Sequence, residues 1–337
     1  MFRKLILPLA LIVSVFVAAC ATPTPLAPTT EPTALPTTVP TSPPPTATTA
    51  PTNTPELEPY PQTQTDALDR AVTITAQPRR IISLSPSVTE ILFAIGAGPQ
   101  VVGRTEFCNY PPEVTSLPTI GGFSAKSISV EAVLDLQPDL VIAGSKRQKE
   151  VIEALEGAGL TVFALAPNSL ADIETGIRTL GEITGNVEGA EAVVADMQRH
   201  ISAVTEKTGG LPEDKRPRVF YEVFDEPLTT TTNATFIGEL ITLAGGINIF
   251  AELPEAYPNV SVEQIAELDP QVIIGPSSHA DKLTADLIAA RPGWAAFTAV
   301  KDKSIYVVDG DVISRPGPRM AEALEALAEA LHPDLFK

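Results

Sequence analysis

One phrase occurs twice in this chain and limits what it can become. Residues 128–144 read ISVEAVLDLQPDLVIAG, and residues 260–276 read VSVEQIAELDPQVIIGP. Ser129, Val130, Glu131, Leu136, Pro138 and Ile142 recur at one offset as Ser261, Val262, Glu263, Leu268, Pro270 and Ile274. Each copy has the chemistry of a short helix running into a buried strand. Ser129 stands where an N-cap belongs, and Glu131 falls in the first turn, near the positive end of the helix dipole. Val130, Val133 and Leu134 offer an apolar face, and Pro138 stops the helix. Leu140-Val141-Ile142 is then a wholly apolar strand, the kind that a parallel sheet covers on both faces. Two copies this far apart predict two similar lobes.

The surrounding pattern agrees. In the first half, Arg80–Leu84 reads as a strand, and Ser87 to Glu90 as a capping box that opens a helix striped by Ile91, Leu92 and Ile95. Val101–Gly103 is a second strand, followed by an irregular stretch from Arg104 to Ser127. After the first copy come a helix over Val151–Ala158, a strand over Leu160–Leu165 and a helix over Leu170–Thr184. The second half offers a strand over Arg218–Val223 and a helix over Thr235–Ala244 ahead of its copy of the phrase. A helix over Leu283–Ala290, a strand over Ser304–Val308 and a last helix over Gly317–Leu331 follow. Such alternation predicts an α/β chain of two Rossmann-like lobes, each a parallel sheet with helices on both faces.

Between the halves, Ala190, Val193, Val194, Met197, Ile201 and Val204 repeat at helical spacing, and Gly209-Gly210 closes the run. A helix over 187–208 would be about 33 Å long. It is read as one long rigid connector between an N-terminal lobe at 78–186 and a C-terminal lobe at 216–337.

The first sixty-six residues build no core. Arg3 and Lys4 precede an uncharged run from Leu5 to Ala19, which is short for a membrane span and suits a signal-peptide core. The run ends Val17-Ala18-Ala19-Cys20, which resembles a bacterial lipobox. Residues 1–19 are therefore read as a lipoprotein signal, with Cys20 as the lipidated first residue of the mature chain. Residues 20–66 are read as a disordered stalk, because 28 of the 46 residues from Ala21 to Asp66 are Pro or Thr. A formal charge of -18 argues against nucleic acid or an anionic membrane surface as a partner.

Signatures of catalysis are missing: there is no G-x-S-x-G, H-E-x-x-H, C-x-x-C or P-loop. The three histidines, His200, His279 and His332, lie far apart, so no metal site built by the protein is expected. His200 reads as solvated and Cys108 as a lone thiol. Several aromatics fall outside the periodic core: Phe107, Tyr110, Phe123, Phe224, Phe250 and Tyr257. Aromatics placed in loops can line an apolar ligand cleft. Arg315, followed by Pro316-Gly317-Pro318 before the last helix, suits an anionic or amide-bearing ligand, or else pairs with a surface acid.

Taken in order, the lipobox, the Pro/Thr stalk, RIISLSPSVTEILFAIGAG, FCNYPPEV, GGF, the first phrase, the long helix, AGGINIF and the second phrase resemble a known family. It comprises the ABC-importer substrate-binding proteins of the vitamin B12 and ferric siderophore type. The resemblance covers about residues 78–336. It implies two α/β lobes joined by one stiff helix, a ligand in the cleft between them, and little lobe closure. It implies a monomer, anchored to the outside of the cell membrane, that delivers its ligand to an ABC permease dimer driven by an ATPase. It implies no enzyme activity and no resident cofactor. The FxxYPPE segment looks most like the vitamin B12 branch, with a cobalt corrinoid as ligand and haem or a ferric siderophore as the alternative. Phe107, Tyr110, Phe123, Phe224, Tyr257, Asp311 and Arg315 would contact the ligand, and Glu131 and Glu263 would dock on the permease. Gly144, Leu228, Val312 and Ile313 depart from the family, because they stand where better-known B12 binders carry aromatics. A two-lobed hydrolase or metal-dependent enzyme is a third reading, which the missing nucleophile–base pairs oppose.

Overall fold

The computed structural model describes residues 60–124, 126–277 and 284–337. Cys20, the apolar leader, the stretch up to residue 59 and His279 lie outside the described residues. The chain enters through a hairpin, β1 (Gln62–Thr65) with β2 (Ala71–Ile74). The first lobe follows as β3 (Ile81–Ser83), α1 (Pro86–Ala94), β4 (Val101–Arg104), α2 (Val130–Asp135), β5 (Leu140–Ala143), α3 (Lys149–Gly157), β6 (Val162–Ala164) and α4 (Leu170–Thr184). A single helix, α5 (Val187–Thr208), leads on. The second lobe opens with β7 (Arg218–Tyr221), a small hairpin of β8 (Phe224–Asp225) and β9 (Leu228–Thr229), α6 (Phe236–Leu243) and β10 (Ile247–Asn248). It closes with α7 (Val262–Leu268), β11 (Val272–Pro276), α8 (Ala285–Ala289), α9 (Thr298–Lys301), β12 (Ile305–Val308), α10 (Gly310–Ile313) and α11 (Met320–Leu331).

The two lobes repeat one plan. Each main sheet is four-stranded and parallel, in the order β4-β3-β5-β6 in the first lobe and β10-β7-β11-β12 in the second. By position in each lobe, the strand order is second, first, third, fourth in both. The repeated phrase explains much of the likeness. Ser129 Oγ accepts the Ala132 N–H at 3.1 Å, and Ser261 Oγ accepts the Gln264 N–H at 3.3 Å, so both helices start on the serine cap. Gln137 and Asp269, one residue before the matched prolines, both take positive φ, 46° and 38°. A left-handed residue followed by proline ends a helix sharply. The freed helix-end carbonyls then meet an arginine from the lobe's first strand region. Arg80 Nε donates to Leu136 O at 3.2 Å and Gln137 O at 3.0 Å, and Arg218 Nε to Leu268 O and Asp269 O, both at 3.2 Å.

Three local expectations need correction. The first-lobe helix is capped by Ser85, whose Oγ accepts the Val88 N–H, with Pro86 as its first residue. Glu90 is therefore not part of a cap; it is buried inside the protein. Leu134 is exposed, and Val133 alone of α2 is fully covered. The stretch read as stalk to residue 66 also ends too late, since β1 begins at Gln62. Tyr60 Oη donates to Ile183 O at 2.8 Å and ties this entry to the end of α4.

Asp66 fixes the hairpin to the first sheet. Its carboxylate accepts N–H groups of Leu68 at 2.9 Å, Arg70 at 3.1 Å and Ala164 at 3.2 Å, and pairs with the Arg70 guanidinium. Burial alone would push this carboxyl up. The Arg70 side chain and the N–H groups of Arg70 and Leu68 outweigh burial and hold it below the usual carboxylate range. A depressed carboxyl contributes stability that is fully present above the unfolded value near 3.9 and is lost as pH falls through the folded value. Asp66→Asn is expected to cost about 1–3 kcal/mol at pH 7. It should also reduce the dependence of stability on pH below about pH 4. Thermal unfolding at pH 7 and pH 3 measures both effects.

Helix α5 joins the lobes by packing and not merely by sequence. It lies against α4 and α1 of the first lobe and against α11 and α6 of the second. Ala190, Val194, Met197 and Val204 are buried on its inner face. They belong to one apolar cluster that also holds Ile177 of α4, Leu240 of α6 and Leu324 of α11. Burying a valine- or methionine-sized side chain is worth roughly 1.5–3 kcal/mol, so a bend in α5 would expose part of a shared core. Gly189 admits the closest approach, because a Cβ there would sit 2.1 Å from Ile95 O. His200, read as solvated, instead bonds the Glu325 carboxylate of α11 through Nδ1 and lies half-buried.

Candidate functional site

The two lobes meet through segments that lie outside their main-sheet strands. On one side, residues after β3 and β4 meet residues after β12: Asn109 Nδ2 donates to Asp311 Oδ2 at 2.9 Å, and Arg315 Nη1 to Glu90 Oε1 at 2.9 Å. On the other, the first N–H of α4, from Leu170, donates to Glu239 Oε2 of α6 at 2.8 Å. The crevice outside the carboxyl ends of parallel strands is where α/β sheets bind ligands.

Five of the six loop aromatics reach solvent, and two of them, Phe107 and Tyr110, meet the opposite lobe. Phe107 and Tyr110 follow β4, and Phe107 is 46% exposed. Phe123 lies further along the same connection. Gln148, buried after β5, positions it: Gln148 Nε2 donates to Phe123 O at 3.1 Å and Leu84 O at 2.8 Å, while its Oε1 accepts the Gly144 N–H at 3.0 Å. Phe224, on β8, is 64% exposed. Tyr257 sits on a loop held by Thr230 N–H to Pro258 O at 3.0 Å and Thr232 N–H to Ala256 O at 3.1 Å. Partial burial pushes the Tyr257 hydroxyl up, opposed by Arg147 of the first lobe and by the Thr235 hydroxyl. The sixth aromatic, Phe250, is core and stands edge-on to Phe220 at 6.1 Å.

The polar candidates are engaged within the protein. Arg315 has only 9% of its side chain exposed. Its guanidinium bonds Glu90, Asn109 Oδ1 at 2.7 Å, Phe107 O at 3.3 Å and Asp311 Oδ1 at 2.7 Å. It pairs with acids, as one reading allowed, but the first of them is the buried Glu90 and not a surface group. Arg319 joins the same carboxylate through Nε at 2.9 Å and Nη2 at 2.7 Å. Arg104 is also taken up internally, by Val114 O at 2.8 Å, Thr105 O at 3.1 Å and Thr115 O at 3.0 Å. In the second lobe, Glu222 is buried against Arg291, whose guanidinium lies 4.9 Å from the Trp294 ring centroid. Neither this pair nor Gln148 was visible as a feature of the sequence.

The departures at Gly144 and Ile313 have local causes. A Cβ on Gly144 would lie 2.1 Å from Ser85 Oγ, so a side chain there displaces the cap of α1. Ile313 is core, and Val312 packs on the shared cluster. Glu131 and Glu263 are both exposed, each at the second residue of its matched helix. The Ser261 hydroxyl, with the Glu263 backbone N–H, holds the Glu263 carboxyl below its ordinary value. Among the described residues, no group of three or more His, Cys, Asp or Glu is placed to hold a metal ion.

Comparison with known proteins agrees with this layout. Residues 81–312, which run from β3 into α10, match the family described as periplasmic binding protein. The chain belongs to the periplasmic binding protein family. It is 34% identical to an uncharacterised ABC transporter substrate-binding lipoprotein of Bacillus subtilis, YvrC, over 83% of this chain and 88% of the relative. The structure matches the periplasmic vitamin B12 binding protein BtuF of Vibrio cholerae with a TM-score of 0.65 and 28% identity, over 76% of this chain and 98% of that one. It matches the periplasmic heme-binding protein RhuT of a Roseiflexus species with a TM-score of 0.68 and 27% identity, over 76% and 99%.

Proposed function

We propose that this chain is the extracytoplasmic substrate-binding component of an ABC importer and that it binds cobalamin or a related corrinoid between its lobes. It is anchored through a lipid on Cys20 and passes its ligand to a membrane permease dimer. Phe107, Tyr110, Phe123, Phe224 and Tyr257 supply the apolar surface for the ligand, and Glu131 and Glu263 meet the permease. The names of the Bacillus and Vibrio relatives support this reading.

One observation carries the choice of ligand: aromatic side chains of both lobes reach solvent while the nearby arginines are already occupied. Arg104, Arg315 and Arg319 are buried or nearly so on carbonyls and carboxylates of the protein itself. A ligand fringed with carboxylates would leave its charges without partners there, which is costly in a partly desolvated cleft. A corrin ring fringed with neutral amides asks only for flat apolar contact and hydrogen bonds. The likeness to RhuT keeps haem as a second reading, and among the described residues the exposed Arg147, near Tyr257, is the cation best placed to serve it.

Titration of the purified protein with cyanocobalamin, haemin and a ferric hydroxamate, followed by visible absorbance and calorimetry, tests the proposal. Cyanocobalamin is expected to saturate one site and to bind at least about tenfold tighter than either competitor, a difference of about 1.4 kcal/mol. Tighter binding of haemin would reject the corrinoid reading and leave the importer reading standing.

A further inference from the structure

We propose that Glu90 is a positioning residue for the cleft: it gathers Arg315 and Arg319 of the second lobe and, through them, sets the Phe107–Tyr110 segment of the first. The inference rests on the cleft being the ligand site, since its use is to hold an aromatic wall of that site in place.

The geometry runs in one direction. Glu90 projects from α1 with 2% of its side chain exposed. Its carboxylate accepts Arg315 Nη1 at 2.9 Å, Arg319 Nε at 2.9 Å and Arg319 Nη2 at 2.7 Å. Both arginines then turn to the loop after β4. The Arg319 guanidinium lies 4.2 Å from the centroid of the Tyr110 ring. Arg315 reaches the Phe107 carbonyl at 3.3 Å and Asn109 Oδ1 at 2.7 Å, and Asn109 bonds back to Asp311 at 2.9 Å. Residues 107, 109 and 110 therefore each touch the opposite lobe.

The cluster is balanced, with two carboxylates, Glu90 and Asp311, against two guanidinium groups. A buried ionic cluster is weak as a stability device, because desolvation offsets much of the attraction. It is strong as a device for fixing direction, since guanidinium groups bond in a rigid planar fork. Here the fork on Tyr110 also presents a cation to one ring face, which leaves the other face for a ligand. The aromatic wall of the first lobe then exists in its working form only while the second lobe is docked against it.

The test compares wild type, Glu90→Gln, the charge-balanced double variant Glu90→Gln with Arg319→Met, and Arg319→Lys. Two quantities are read: cyanocobalamin affinity, and amide hydrogen exchange in the unliganded protein. The double variant keeps the Arg315–Asp311 pair and so retains a neutral cluster. It is expected to bind about tenfold more weakly and to exchange about tenfold faster over residues 105–111, with exchange in α5 unchanged. Glu90→Gln should shift both quantities the same way. Arg319→Lys, which keeps a cation on Glu90 but loses the planar fork, should fall between wild type and the double variant in both quantities. Wild-type affinity and wild-type loop exchange in the double variant would overturn the inference. Equal acceleration in the loop and in α5 would also overturn it, by showing a global staple and not a positioning group. Failure of wild type itself to bind cyanocobalamin would count against the ligand reading alone, because the exchange arm still decides what Glu90 does.

Discussion

Replacing Glu131 and Glu263 together with arginine is expected to abolish uptake while leaving ligand affinity unchanged. The two acids occupy matched positions on matched helices, one on each lobe, and both are exposed. A pair related in this way suits a partner that is itself two-fold symmetric. Among the described residues their side chains make no bond between the lobes, and an exposed carboxylate in the first turn contributes little to its helix. Reversing the charge should therefore leave folding and binding nearly intact. Against cationic sites on a permease it replaces attraction with repulsion, which costs several kcal/mol across an interface. Uptake of labelled cobalamin by cells that carry the whole importer should drop at least about 100-fold for the double variant, and each single reversal should fall between. Transport at the wild-type rate by the double variant would remove these residues from the docking surface.

Loss of one aromatic from each lobe should damage binding without damaging the fold. Phe107→Ala with Tyr257→Ala is expected to weaken cyanocobalamin binding about 100-fold, near 2.7 kcal/mol, with about 1.4 kcal/mol from each ring. The two rings stand on separate loops in separate lobes, so their effects should add. Both side chains reach solvent, which predicts a much smaller effect on unfolding than a core aromatic such as Phe220 would give. Calorimetry and thermal unfolding of the same samples separate the two. A double variant that unfolds early, or one that binds as wild type does, would contradict the assignment.

Much of the fold was legible because it is written in local terms. The caps at Ser129 and Ser261, the prolines after them and the apolar strands act within a few residues, and the duplication doubled the signal. Helix α5 was equally plain, since its inner face repeats without a break for 22 residues. Where the reading slipped, the deciding partner was distant in sequence. Glu90 sits in a pattern that mimics a capping box, yet its role depends on Arg315, 225 residues away. Arg315 was noticed for its prolines and glycine, but nothing local says that its donors are taken. The first hairpin was lost in the stalk because Gln62 to Thr65 is polar on both faces and continues a Pro/Thr-rich stretch. Phe250 looked like its neighbours in loops, and only packing against Phe220 separates it from them. The exposed aromatics could be read as loop residues from their placement, whereas Gln148, which holds the backbone of Phe123, carries no local mark.

On the proposed function, two like lobes, held by a shared core along α5, grip a flat corrin between aromatic loops of the two lobes. A crystal structure of the complex with cyanocobalamin tests it most directly. The claim predicts the corrin ring between the Phe107–Tyr110 loop and the Tyr257 loop, with α5 straight and the Glu90 cluster intact. A ring bound away from these loops, or lobes swung apart about a bent α5, would contradict it.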